Sequence, residues 1–447
     1  MQKVFNQKQQ TQLEKIIVIG GGLMGCSVAW KLAEQGAKVI VLEQQGKKFN
    51  HGSSFGTSRI SRSLGSKKDV LSFVHNRTLS EVKKLLSFLN KKEKKGAHQM
   101  EDIYSTSPVS YLYTRDQYDQ IDKLRHKKQR GDYRRATGDS AFRRFGVTLK
   151  PKQVLVRESR QYSGTLNPHE LIKKLRLALN IKKTKIRYNQ KVTQLIKKED
   201  FFEVHILNTK SKKTEIIKAK KVVVAAGPYT VEVLKDFAPY FNRVITPKRV
   251  LVSYFKIAKK RFKEFSQKEI KSILAAQPMF SQIGKEYFSL IEGMDSDGAP
   301  IFKAGGHKIR HNIIDLDSAW NMVPPKKELK WTKKKFRKYF ESLEIYLKKK
   351  DIECTGYRNC LYSMTRTSIP LVTPIFNRYG SLDKNLVVIG GMSGVGAKGC
   401  LGYGTIGANL ILGNPEESSK IYRKSAKAFG NPSVRLYTRK PRRGRLF

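Results

Sequence analysis

KIIVIGGGLMGCSVAWKLAEQGAKVIVLEQ, Lys15 to Gln44, reads as a strand, a glycine turn, a helix and a second strand. Ile16 to Ile19 form an apolar β-branched run, Met24 to Leu32 carries helical spacing, and Val39 to Leu42 is again fully apolar. Gly20, Gly22 and Gly25 set a GxGxxG pattern directly between strand and helix. Glycines there allow a tight turn and let backbone N–H groups approach a pyrophosphate at the helix N-terminus, and Glu43 closes the second strand where it can accept from ribose hydroxyls. The plainer alternative is a doubly wound sheet whose glycines only pack. The placed acid favours the first reading, a dinucleotide-binding domain of Rossmann type.

Two later stretches repeat the layout. KKVVVAAGPYT, Lys220 to Thr230, is an apolar run closed by Gly227 and Pro228, and Asn385 to Leu412 runs strand, glycine turn, small-residue helix. One dinucleotide domain is therefore expected from separated segments, 15–85, 160–235 and 355–415, and the material between, 86–159 and 236–354, should form a second α+β domain with a mixed or antiparallel sheet. The fold class expected is α/β with that added domain. SGTLNPHELIKKLRLAL, Ser163 to Leu179, reads as a turn entering an amphipathic helix with Pro168 in its first turn. The strand signals around Val192 to Leu207 and Val250 to Phe255 are read as extending the second domain's sheet.

Composition sets the other constraint. The 447 residues include 89 Lys plus Arg against 37 Asp plus Glu, a formal net charge of +52, while 39% are hydrophobic and aromatic residues run through the whole length. Such a chain folds around a core, yet its self-repulsion opposes compaction unless a polyanion neutralises it. Nucleic acid is the first partner implied; acidic filaments and anionic membranes follow. Basic clusters lie at 91–95, 126–135, 210–221, 259–263 and 325–350, the last reading as a helix with Trp331, Phe336, Tyr339, Phe340 and Leu343 turned inward. After Glu417 ten Lys or Arg occur and no acid, so 416–447 reads as a basic tail, a phosphate-binding arm rather than a core element; 1–14 reads as an N-terminal arm. Cys26, Cys354, Cys360 and Cys400 make neither a disulfide framework nor a CxxC zinc pair, so no metal site is expected and a reducing compartment is. No apolar run approaches the roughly 18 residues of a membrane span. The acid-free start, with Lys3 and Lys8, is compatible with a mitochondrial address.

With GGGLMG, NHGSSFGTSRISR, KVVVAAGPYT, YRNCLYSMT and GGMSGVGAKG in this order, the sequence resembles the flavin amine oxidoreductases of the sarcosine oxidase type, within the D-amino acid oxidase-like superfamily. The resemblance implies FAD lying along Gly20, Gly22, Gly25 and Glu43, with Val192 near the adenine and the Ala226–Gly227 turn, Gly394 and Gly396 lining its path. It implies that Cys360, in a C-x-Y-[ST] setting with Tyr362 and Ser363, bonds covalently to the flavin ring; a buried apolar cysteine is the alternative. It implies that Arg62 and Lys398 clamp a substrate carboxylate, that Arg59 lies against the flavin, and that Lys308, in GGHKIRHN, is the lysine whose charge favours oxygen reduction. Val395 stands where relatives often place a histidine, Arg366, Thr367 and Ser368 replace the acids that usually follow the C-x-Y-[ST] motif, and DSDGAPIFK lacks the expected aromatic pair.

Two functions follow. Because the charge runs through the whole chain while the catalytic set is incomplete, the sequence points first to a flavoenzyme fold recruited as a basic, RNA-contacting structural component of a large ribonucleoprotein, a mitochondrial ribosome with its ribosomal RNA and neighbouring proteins, with FAD retained or lost. An acidic protein filament is the alternative partner. The alternative function is an active FAD-dependent oxidase or dehydrogenase of secondary or N-methyl amino acids, in which hydride leaves the carbon beside nitrogen and the resulting imine hydrolyses.

Overall fold

The computed structural model describes residues 14–48, 52–62, 70–93, 98–124, 133–283, 287–306, 311–313, 315–413 and 429. Strand Glu14–Ile19 lies at the centre of an eight-stranded sheet, parallel to Val39–Leu42 on one side and to Thr214–Val224 on the other. Lys185–Arg187 extends the parallel run beyond Val39–Leu42, and Leu382–Gly390 extends it beyond Thr214–Val224. Leu371–Phe376 closes that edge antiparallel. Strands buried on both faces need unbroken apolar runs, and Ile17, Val18 and Val222 to Val224 meet the demand with full burial.

Helices Leu23–Glu34, Val70–Lys92, Pro168–Ile181 and Cys400–Leu412 cover one face of this sheet around a single apolar core. Helix Pro168–Ile181 starts as its sequence predicts, with Pro168 at the first position and Asn167 accepting from Glu170 N at 3.1 Å. Glycines 402, 404 and 407 let helix Cys400–Leu412 lie directly on its neighbours; a Cβ at Gly404 would stand 2.8 Å from the Ser27 backbone. A buried carboxylate, Glu81, ties two of these helices together by accepting from Lys31 at 2.7 Å. The opposite face carries the meander of Gln190–Lys197, Phe202–Asn208 and Thr214–Val224. The strands at Val192 to Leu207 therefore belong to the dinucleotide domain and not to the second sheet, because the long strand Thr214–Val224 pairs with them through its first half and with Glu14–Ile19 through its second.

The second domain is built on a nine-stranded mixed sheet in which Met279–Ser281 pairs parallel with Ser110–Thr114 and its other neighbours pair antiparallel. Its longest pair joins Ile245–Ile257 to Ile352–Thr365, so Cys360 sits on a second-sheet strand, opposite Val250. The domain limits at 85 and 355 fall inside helix Val70–Lys92 and inside this strand; Leu89, Met100 and Ile103 pack in the dinucleotide core. Helix Lys326–Ser342 ends earlier than its charge pattern suggests. It buries Phe336, Tyr339 and Phe340, while Trp331 remains half-exposed. The basic tail also departs from its reading at one residue. Phe429 is fully buried, its ring 5.3 Å from that of Tyr403; the rest of 414–447 and residues 1–13 lie outside the described residues.

Candidate functional site

A long cleft opens at the carboxyl ends of the parallel strands, the place where open α/β sheets bind their ligands. Its walls come from the turn after the first strand (Gly20, Gly22), the end of the second (Glu43), the end of Thr214–Val224 (Ala226, Gly227) and the late glycine turn (Gly394, Gly396). Val192 and Arg59 line it as well. Residues read from five separate stretches of sequence thus meet in one concavity.

The cradle cannot tolerate side chains. At Gly20, φ is +106° and a Cβ would stand 2.5 Å from the carbonyl oxygen of Ala225; at Gly25 it would stand 1.7 Å from that of Gly20. Gly25 is therefore a packing glycine, while Gly20 and Gly22 face the cleft. Glu43 accepts from Gly21 N at 2.7 Å and from Gln45 N at 2.9 Å, which fixes the carboxylate at the strand end with lone pairs left for ribose hydroxyls. These features fit a dinucleotide whose pyrophosphate rests on the helix Leu23–Glu34 N-terminus.

At the far end of the cleft the second sheet supplies its wall. Leu361, Tyr362 and Ser363 line it, and Ser363 Oγ accepts from Gly391 N at 2.9 Å, pinning the late glycine turn to the strand that carries Cys360. Gly394 has φ +84° and lies against the Tyr362 ring, where a Cβ would be 2.8 Å from it. Arg59 is held by carbonyls of its own loop, donating to Ser58 O at 2.7 Å, Phe55 O at 2.6 Å and Ser53 O at 3.0 Å. An arginine so fixed presents its plane in one orientation.

Next to it stands a group that sequence reading missed. Lys303, on strand Pro300–Gly305, is 4% exposed and donates to Ser58 O at 2.9 Å and to Glu292 at 3.2 Å. Glu292 also accepts from Thr57 Oγ1 at 2.9 Å and from Ser58 Oγ, so one carboxylate ties the arginine loop to the lysine. Burial pushes the Lys303 ammonium down to about 8, the Arg59 charge adds to the effect, and Glu292 and Cys360 oppose it. Arg358, two residues before Cys360, joins the cluster: Arg59, Arg358 and Lys303 all have nitrogens within 4 Å of the Cβ position of Gly56. Lys308 lies outside the described residues. The signal for Lys303 was present in PIFKAG, a lone cation inside a strand otherwise apolar or small.

Arg62 and Lys398 do not line the cleft, but the charges of both act on one buried group, His75. The Arg62 guanidinium lies 4.7 Å from the Phe280 ring centre and 6.0 Å from that of Tyr111, contacts that orient the cation by its face. Tyr111 in turn donates to the buried Glu158 at 2.5 Å. His75 is fully buried and bonded through Nε2 to Ser61 Oγ at 2.8 Å; its Nδ1 has no partner among the described residues. Burial lowers the imidazole pKa to about 3, and the charges of Lys398, Arg160 and Arg62 push the same way. Three cations thus act on one neutral, buried imidazole. Cys26 and Cys400 are buried elsewhere, their thiols pushed by burial up to about 11 and about 12, and both stay protonated.

Comparison with known proteins agrees with this geometry. A probable sarcosine oxidase of Arabidopsis thaliana is 23% identical over 401 residues, 89% of this chain and 88% of the relative. Among solved structures, NikD, an unusual amino acid oxidase essential for nikkomycin biosynthesis, superposes with a TM-score of 0.64 at 19% identity, covering 93% of this chain and 97% of its own. The L-proline dehydrogenase from P. horikoshii gives 0.65 at 18% identity, covering 92% and 98%. The family pattern described as FAD dependent oxidoreductase matches residues 15–410, and the chain belongs to that family.

Proposed function

We propose that the protein oxidises a secondary or N-methylated amino acid with FAD as acceptor. The observation that carries this reading is a dinucleotide-type cleft accompanied by fixed cations: Arg59 lines it, Lys303 is bonded to the loop that carries Arg59, and the charges of Arg62 and Lys398 both act on the buried His75. Bound FAD supplies the two-electron acceptor. Arg62 and Lys398 bind and orient the substrate carboxylate, the planar guanidinium taking both oxygens. The Phe280 ring, 4.7 Å from the Arg62 guanidinium, helps hold that cation in place. Lys303 takes the role that the resemblance gave to Lys308, a fixed positive charge where negative charge builds when the acceptor is reoxidised. The family match supports this reading over a purely structural role.

Cys360 is the chain's candidate for a covalent tether, since Leu361 to Ser363 line the cleft beside it. Acid-denatured protein tests that role: yellow colour should stay with the wild-type pellet and leave with the supernatant in Cys360→Ser. The substrate class is tested by comparing N-methylglycine with its methyl ester. Removal of the carboxylate charge should raise KM at least tenfold in the wild type and little in Arg62→Met. Equal KM values for acid and ester in the wild type would sink the assignment of Arg62.

A further inference from the structure

Oxidation of a small amino acid needs one cleft and leaves the charge of +52 without a use. The second sheet shows where part of that charge gathers. Phe255, Phe302 and Ala304 face a layer made by helices Asp139–Phe145, Lys259–Lys263, Gln267–Ala275 and Lys326–Ser342, whose apolar sides complete one core. By strand alternation Lys303, between Phe302 and Ala304, points the opposite way, to the cleft. The helical layer therefore lies on the far side of the sheet from the flavin site, and its outer surface can be covered without closing that site.

That outer surface is basic and carries one exposed ring. Residues 326–350 contain eleven Lys or Arg and three Glu, and one of those, Glu328, is buried against Arg249 at 2.6 Å. The turn after the long helix holds Tyr346 out to solvent, 64% exposed. Cations gather round it from separate segments: Lys150 Nζ stands 5.2 Å from the ring centre, and Arg261 donates to the Tyr346 carbonyl at 3.5 Å. Of the nearby acids, Glu264 is paired with Arg261 at 3.1 Å and Asp351 accepts from the Lys348 backbone N–H at 2.6 Å, while Glu344 is exposed without a cation partner among the described residues and is outnumbered by the lysines around it. Lys260, Lys263, Lys349 and Lys350 are exposed and have no carboxylate partner among the described residues.

We propose that this outer face, centred on Tyr346, binds single-stranded nucleic acid. Lysines without carboxylate partners supply sequence-independent attraction to phosphates, and an exposed aromatic ring flanked by cations gives a base a surface to stack on. A lipid surface fits less well, because the other exposed large apolar side chains on or next to this layer, Leu274 and the pair Met322 and Val323, lie on separate segments and form no continuous apolar face for acyl chains. The inference is independent of the oxidase reading.

The test uses the full-length flavoprotein and fluorescein-labelled oligouridylate and oligodeoxythymidylate, each about 20 nucleotides long so as to exceed the site size of a single-strand binder, followed by anisotropy across a salt series. Tyr346→Ala should weaken binding about tenfold. A triple variant at Lys263, Lys349 and Lys350, each to Gln, should lower the slope of log K against log salt by about 0.7 for each phosphate that the variant no longer neutralises. A matched triple at Lys210, Lys212 and Lys213, in the hairpin of the other domain, should leave both affinity and slope unchanged. Which oligomer binds tighter separates RNA from DNA. Equal losses in the two triples, an unchanged Tyr346→Ala affinity, or binding to polymerised tubulin or phosphatidylserine vesicles in place of both oligomers would overturn the proposal.

Discussion

Replacement of Lys303 by Met separates what the buried ammonium does for chemistry from what it costs the fold. Its pKa of about 8, set first by burial and then by Arg59, lies well below the value near 10.5 that a lysine has in the unfolded chain. Holding it charged inside the protein at neutral pH therefore costs on the order of 3 kcal/mol. The sign follows from proton binding: between pH 8 and about 10.5 the unfolded chain keeps a proton that the folded one has lost, so stability rises with pH across that window. Below pH 8 the Met variant escapes the cost and should unfold at higher urea than the wild type. The benefit is electrostatic. Taking about 4 Å between the ammonium and the developing negative charge, at an effective dielectric near 20, gives about 4 kcal/mol. Glu292, 3.2 Å away, offsets part of this. A loss of about 2 to 3 kcal/mol remains, equivalent to on the order of 100-fold in rate. The assay needs no substrate. Photoreduced flavoprotein is mixed with aerated buffer and the return of flavin colour is followed. Lys303→Met should reoxidise on the order of 100-fold more slowly at about pH 7, with a flat pH profile, while the wild-type rate falls as pH rises through about 8. A variant that reoxidises at the wild-type rate, or a wild type with no inflection near pH 8, would refute the reasoning.

Glu292→Gln should move that inflection to lower pH, because the carboxylate is what holds the lysine pKa up, and the same reoxidation profile reads it. Gly25→Ala should abolish flavin retention through the first turn, since its Cβ would overlap the Gly20 carbonyl; absorbance of the purified protein reports it. Glu328→Gln leaves Arg249 buried opposite a neutral amide, and should cost about 3 kcal/mol or more by urea unfolding, with the flavin spectrum unchanged below the transition.

The parts of the fold that declare themselves in the sequence are those governed by local rules. The strand, glycine turn and helix from Lys15 to Gln44 are fixed by periodicity and by glycines that the close approach of Gly20 to Ala225 demands. The cleft glycines and Glu43 are legible for the same reason, whereas Arg59 is reached through the family resemblance alone. Lys303 shows only as a lone cation in PIFKAG, and its meaning does not, because that lies in a hydrogen bond to Ser58, 245 residues away. His75 is hidden likewise: only the packing of helix Val70–Lys92 on the late glycine turn brings it within reach of the Arg62 and Lys398 charges. The strands from Val192 to Leu207 pair in the first sheet rather than the second, since alternation reveals a strand and not its partner. Phe429 is masked by a tail whose composition speaks only of charge.

The central claim, that this cleft oxidises an amino acid, is tested most directly by anaerobic titration of the purified flavoprotein with a panel of primary, N-methyl and cyclic amino acids. The account predicts that at least one secondary or N-methyl amino acid bleaches the flavin, and that Arg62→Met needs far more of it to do so. A flavin that dithionite reduces but that no amino acid in the panel bleaches would contradict it.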